Sequence, residues 1–99
     1  MNNTIASLNI FSQIAEKIIE GQEEIIGPLA VEQARKVPGL SVNWEKHEVT
    51  IQGDQKQVID QLIRRYGRIF GPASIEVCKN AAKQIAPQVP SAQLPEALY

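Results

Sequence analysis

The hydrophobic positions of this chain follow a helical period at both ends and a strand period in the middle. Over residues 5–20, apolar side chains recur every three or four positions, which predicts an amphipathic helix that stops at Gly21 or continues to Ile26. The same period returns over residues 54–70 and 72–85. A shorter helix over residues 28–36 is predicted to follow the first.

Between these helices, residues 40–53 alternate between apolar and polar side chains, which is typical of a half-buried β-hairpin. The apolar side chains on one face are Val42, Trp44, Val49 and Ile51. A turn centred on residues 46–47 pairs Trp44 with Val49 and Val42 with Ile51. Lys-His is not a favoured two-residue turn, so a longer loop fits the sequence equally well.

The predicted order, helix, helix, hairpin, helix, helix, indicates an α+β fold in which two helix pairs flank a central hairpin. Residues 1–85 are predicted to form one domain, and residues 86–99 a proline-rich tail or linker. A two-stranded hairpin is marginally stable in water, so it must lie on the helices or pair with a second chain. We therefore expect a homodimer whose interface contains Val42, Trp44, Val49 and Ile51.

A short segment occurs twice in the chain. Residues 25–32 and 69–76 share four of eight identities at an offset of 44 positions, and both contain Gly-Pro. Similar residue types continue on both sides, so the predicted repeat covers residues 14–37 and 58–81. We expect each copy to be a helix, a Gly-Pro corner and a second helix, with Pro28 and Pro72 in the first turn of their helices.

Composition excludes several classes of site. The 99-residue chain has a net charge of −1, one cysteine and one histidine. It therefore cannot form an intrachain disulfide or a zinc site built of four Cys and His ligands. It also has no phosphate-binding glycine motif. We expect a non-enzymatic protein with no cofactor, no metal, no nucleic acid and no membrane partner; the N-terminus lacks a basic signal region, which favours the cytoplasm.

Three arginines form the only local basic cluster in the sequence: Arg64, Arg65 and Arg68. They offer a possible anion-binding site for phosphate or nucleic acid. The alternative is an exposed helix face on which Asp60 and Arg64 form an i,i+4 ion pair. Among the other reactive residues, Cys78 falls on an apolar stripe and is predicted to be buried, whereas His47 is predicted to be an exposed turn residue.

Residues 24–30 and 68–74, Glu-Ile-Ile-Gly-Pro-Leu-Ala and Arg-Ile-Phe-Gly-Pro-Ala-Ser, resemble a short helical element of bacterial signalling proteins. That Ile-Gly-Pro-Ile-Ala-type element is found at the ends of certain serine/threonine kinases and in regulators with roadblock-like partners. The resemblance implies a non-catalytic regulatory or adaptor segment in a bacterial cytoplasm. It covers about eight residues per copy and transfers no functional residue to this chain.

Together these patterns favour a self-associating interaction module, an adaptor or regulatory domain of a signalling system. An alternative is a phosphate- or nucleic-acid-binding module that uses the arginine cluster. A further alternative is a small-ligand sensor with an apolar pocket between the two helix pairs.

Overall fold

Most of the other elements pack against helix α1 (Asn2–Ile26). The computed structural model of the chain describes the backbone of residues 2–85 and the side chains of residues 10–85. Of the two extents predicted for this helix, the longer one is correct, because the chain stays helical through Gly21 up to Ile26. The predicted proline-rich tail, residues 86–99, lies outside the described residues.

After α1 come α2 (Leu29–Ala34), an antiparallel β-hairpin, α3 (Gln55–Phe70) and α4 (Pro72–Lys83). The α+β fold with a hairpin between two helix pairs is thus confirmed. The start of α3 follows from a side-chain cap, because the N–H of Gln57 donates to Oδ1 of Asp54 over 3.2 Å. Such a cap satisfies one of the N–H groups that have no partner within the helix.

Of the two connections predicted for the hairpin, the structure has the longer loop and not the two-residue turn. Strands β1 (Leu40–Asn43) and β2 (Glu48–Ile51) pair Val42 with Val49 and Leu40 with Ile51, so the pairing of Trp44 with Val49 was wrong. Trp44–Lys46 form a 3₁₀ turn, and His47 closes it in the left-handed conformation. The pairing therefore shifts by two residues, which leaves the same apolar side chains on the same face.

Each helix pair turns at its Gly-Pro sequence in a similar way. The N–H of Gly27 donates to the carbonyl of Glu23, and the N–H of Gly71 donates to the carbonyl of Gly67, both over 2.9 Å. Both corner glycines have positive φ, a conformation that favours glycine. Pro28 is the residue before α2 and Pro72 is the first residue of α4, so each proline stands where the missing N–H costs nothing.

The core is built from the facing stripes of the long helices. Among the described side chains of α1, the buried ones are Ile14, Ala15, Ile18, Ile19 and Gln22. Those of α3 are Val58, Ile59, Leu62, Ile63 and Tyr66, each 44 positions later in the chain. Every fully buried isoleucine or leucine in this set contributes about 1.5–3 kcal/mol relative to exposure. The small residues of α2 and α4, such as Ala34 and Cys78, let those helices approach the stripes closely.

Candidate functional site

The three arginines of the predicted anion-binding cluster lie around one open cavity between α3 and the segment that follows α2. Arg64 is paired with Asp60 one turn earlier, as the spacing predicted. Nε of Arg65 donates to Oε1 of Gln33 on α2 over 3.0 Å, and the side chain of Arg68 is exposed. This cavity, about 310 Å³ in volume, is the basic groove, and it is lined by Val37, Pro38, Gln61, Arg64, Arg65 and Arg68. The structure thus brings the predicted residues together, while anion binding stays a prediction.

A second groove lies between α1 and α4. It has a volume of about 280 Å³, and it is called the acidic groove for Glu20 and Glu24 on its α1 side. Its lining is Lys17, Glu20, Gly21, Glu24, Ile25, Val77, Asn80, Ala81 and Gln84. Lys17 belongs to the same groove, and its Nζ lies 3.5 Å from Oε1 of Glu20. Sequence reasoning missed this groove, although the offset between the two repeated segments could have indicated it.

Exposed large hydrophobic side chains occur at the two Gly-Pro corners of the described part of the chain. Ile25 is 65% exposed and Leu29 48% exposed, on either side of the first corner. Ile69, at the second corner, is 46% exposed and occupies the position that corresponds to Ile25. Clustered apolar exposure with charged neighbours is typical of contact surfaces, whereas single exposed residues are common on any protein.

The predicted interface side chains of the hairpin face the chain's own core. Val49 is buried, and Val42, Trp44 and Ile51 are partly buried and pack against the core. Strand β2 contacts α1, and β1 contacts α2. The helices therefore supply the cover that the hairpin face needs. The role of these four side chains in a homodimer stays a prediction. The outer edges of the two strands are the part of the hairpin that could pair with a second chain.

The hairpin turn is held over α1 by two polar contacts that sequence reasoning missed. Nε1 of Trp44 donates to Oε2 of Glu23 over 3.0 Å, and the indole stacks on the ring of His47 with centroids 4.2 Å apart. Nδ1 of His47 lies 3.8 Å from Oε2 of Glu16. As predicted, His47 is exposed at the turn. The sequence feature behind these contacts is the row of glutamates along α1. Only the fold shows that this row lies beneath the hairpin turn.

The same turn brings three metal-ligating side chains together. One ligand atom each from Glu16, Glu20 and His47 lies within 4.8 Å of the other two. Two carboxylates one helical turn apart, with an imidazole opposite, form a donor set that a divalent transition metal accepts. Glu20 also approaches Lys17, and the imidazole is 48% exposed, so solvent and the lysine both compete with an ion.

Polar side chains in the core form a separate group around Cys78. Nε2 of Gln22 donates to the carbonyl of Ser74 over 2.8 Å and approaches Sγ of Cys78 at 3.3 Å. Cys78 is fully buried, as its position on the apolar stripe predicted. Burial raises the pKa of the Cys78 thiol to about 11, which keeps it protonated and a poor nucleophile. Burial likewise raises the pKa of Tyr66 well above its usual value.

Comparison with known proteins gives this chain no relative from which a role could be transferred. It matches no family model, no curated protein and no solved structure. Within residues 2–85, no helix combines the length and apolar character needed to cross a bilayer. The function must therefore be inferred from the chain's own grooves, corners and charges.

Proposed function

We propose that this chain is a non-enzymatic interaction module that self-associates and serves as an adaptor or regulatory domain. The observation that carries the proposal is the exposed apolar surface at the two Gly-Pro corners. Ile25 lies at the edge of the acidic groove, and Ile69 directly follows Arg68 of the basic groove. Apolar side chains beside charges of opposite sign are the chemistry with which one copy can bind another.

The size of these surfaces predicts a weak and reversible association. Two corners with three exposed apolar side chains offer far less area than the interfaces of permanent dimers. Weak contacts of this kind are common in regulatory assemblies, where association must respond to concentration or to a partner. A role in a bacterial signalling system remains a prediction that rests on the resemblance of the two Gly-Pro segments.

Sedimentation equilibrium over a wide concentration range tests self-association directly. At low salt, the expected result is a mass that rises from the 11.0 kDa of one chain toward a multiple of it. Ile25→Asp with Ile69→Asp should abolish the rise, because both substitutions place a charge where apolar contact is needed. Thr50→Asp with Gln52→Asp, at two exposed positions of the hairpin, introduces the same two charges and is the matched control, which should associate like the parent protein. A parent protein that stays at the mass of one chain throughout would overturn the proposal.

A second candidate function is anion binding in the basic groove, and the observation that favours it is the convergence of three arginines on one cavity. Guanidinium groups bind phosphate through paired hydrogen bonds. Titration with inorganic phosphate and with a short single-stranded RNA, at physiological salt, measures this directly. Micromolar affinity that is lost in Arg64→Glu with Arg68→Glu would favour this function. The net charge of −1 leads us to expect only weak binding.

The small-ligand sensor predicted from the sequence is the third alternative. The region between the helix pairs is occupied by core side chains, including the fully buried Tyr66 and Gln22. No observation in the described residues favours an apolar ligand there, so the sensor remains a prediction.

A further inference from the structure

The basic and acidic grooves occupy corresponding positions along α3 and α1, the long helices of the two pairs. The α3 residues that line the basic groove are Gln61, Arg64, Arg65 and Arg68. The residues 44 positions earlier are Lys17, Glu20, Gly21 and Glu24, and all four line the acidic groove. On the opposite wall a single pair corresponds, Val37 of the basic groove and Ala81 of the acidic one. Both grooves therefore have the same layout along their long helix.

At two of these corresponding positions the charge is reversed. Glu20 corresponds to Arg64, and Glu24 corresponds to Arg68. The two pairs also share their spacing, because each has its members one helical turn apart on the exposed side of a long helix. Each groove is next to an exposed isoleucine, Ile25 in one and Ile69 in the other. The charged positions of the two grooves thus match in spacing and are opposite in sign.

Ion pairs within the chain reduce the charge difference between the two grooves but do not remove it. Lys17 approaches Glu20, and Asp60 pairs with Arg64. Arg65 still adds a third guanidinium to the basic groove, where the corresponding residue of the acidic groove is glycine. The side chains of Glu24 and Arg68 are both exposed. Each groove therefore presents a charge to solvent next to its isoleucine.

We propose that the two grooves are the complementary halves of one contact between copies of this chain. The acidic groove of one copy faces the basic groove of another, so that Glu20 and Glu24 meet Arg64 and Arg68 and the corner isoleucines pack nearby. The inference rests on the proposed self-association and names the surfaces that carry it. In this arrangement the helices form the contact between copies, and the apolar face of the hairpin packs against the core of its own chain.

A contact of this kind is heterologous, because it joins two different surfaces of the same chain. Its charges lie in solvent before association, so the contact should be sensitive to salt. The screening length falls from about 10 Å at 0.1 M salt to about 3 Å at 1 M. We expect the dissociation constant of the parent protein to rise by at least about tenfold over that range.

The decisive experiment exchanges the charges of one groove at a time. In the acid-reversed variant, Glu20→Arg with Glu24→Arg makes both grooves basic. In the base-reversed variant, Arg64→Glu with Arg68→Glu makes both grooves acidic. Each variant alone should lose self-association, because like charges then face each other, whereas an equimolar mixture of the two should associate. Combining all four substitutions in one chain should restore self-association.

Matched controls separate groove-specific effects from changes in net charge. Glu32→Arg with Glu45→Arg changes the net charge as the acid-reversed variant does, at exposed positions outside both grooves. Lys46→Glu with Lys83→Glu, also at exposed positions outside both grooves, changes the net charge as the base-reversed variant does. Both controls should associate like the parent protein. Circular dichroism and thermal unfolding of every variant verify that the fold is retained.

The outcomes separate this inference from the proposed function. A parent protein that remains a single chain overturns the proposed function and this inference with it. A parent protein that associates, with folded reversed variants that associate equally well alone, overturns only the groove assignment. The groove assignment also fails if the folded acid-reversed and base-reversed variants do not associate when mixed.

Discussion

Gln22 and Tyr66 stand 44 positions apart and make reciprocal hydrogen bonds between the two helix pairs. Nε2 of Gln22, on α1, donates to the carbonyl of Ser74 on α4 over 2.8 Å. The hydroxyl of Tyr66, on α3, donates to the carbonyl of Ala30 on α2 over 2.6 Å. The two acceptors are themselves 44 positions apart. The long helix of each pair therefore carries, at equivalent positions, a buried side chain that hydrogen-bonds to the other pair.

Removing these two hydrogen bonds should have unequal effects. Tyr66→Phe keeps the packing and removes one buried bond, so we expect the free energy of unfolding to fall by about 1–2 kcal/mol. Gln22→Met loses the bond to Ser74 and the weaker one to Sγ of Cys78, but it also removes the buried Oε1 atom, which has no hydrogen-bond partner in the described residues. Its cost should therefore be smaller. Urea unfolding of both variants measures the difference, and a Tyr66→Phe protein as stable as the parent would contradict the assigned role.

Cys78 should resist thiol reagents in the folded protein and react once the chain unfolds. The side chain is fully buried, and it is the only cysteine of the chain. Labelling with a chromogenic disulfide reagent, with and without denaturant, gives the two rates. Fast labelling of the native protein would show that the thiol is accessible.

The raised pKa of Cys78 also makes stability depend on pH. In the unfolded chain the thiol loses its proton near its ordinary pKa of 9.0, whereas in the folded chain burial raises the pKa to about 11. Between these values the folded state binds more protons, so the free energy of unfolding should fall as pH rises from 9 to 11. Denaturant titrations of the parent and of Cys78→Ala measure this, and the variant should lose part of the slope. The rest of the slope should come from Tyr66, because burial raises its pKa above the ordinary value of 10.0.

Trp44 should contribute to stability through its hydrogen bond as well as its packing. Trp44→Phe removes the bond to Glu23 and should cost about 1 kcal/mol. Trp44→Ala should cost about 2 kcal/mol, less than the 3–5 kcal/mol typical of a fully buried aromatic, because the indole is only partly buried. Glu23→Gln keeps an acceptor for the indole and is the matched control. Equal stability of the phenylalanine variant and the parent would show that the bond contributes nothing.

Two glycines that flank the hairpin should respond differently to alanine. Gly39 and Gly53 both have positive φ, so either substitution strains the backbone. A Cβ at Gly53 meets nothing within 4 Å, and Gly53→Ala should cost about 1 kcal/mol. A Cβ at Gly39 would lie 2.7 Å from the carbonyl oxygen of Gln52, so Gly39→Ala should cost about 3 kcal/mol. Thermal unfolding of the two variants compares them, and equal losses would show that the close approach has no energetic consequence.

Local patterns along the chain predict its helices, its hairpin and their order. Amphipathic stripes, Gly-Pro corners and an aspartate cap are local signals, because a helix or a strand is recognised by the spacing of its own residues. The α+β class, the start of α3 and the burial of Cys78 follow from such spacing. The alternating residues of the hairpin also showed correctly which of its side chains share a face.

Which distant surfaces meet depends on how the elements pack together. The strand register depended on the turn at Trp44 and His47, whose conformation the two-residue alternative did not include. The hairpin lies over α1 because a long apolar helix face was available there, and this removed the need for a second chain to cover it. The bonds of Gln22 and Tyr66, and the walls of the two charged grooves, bring together residues far apart in the chain. Such contacts depend on how the helices cross, which no local pattern encodes.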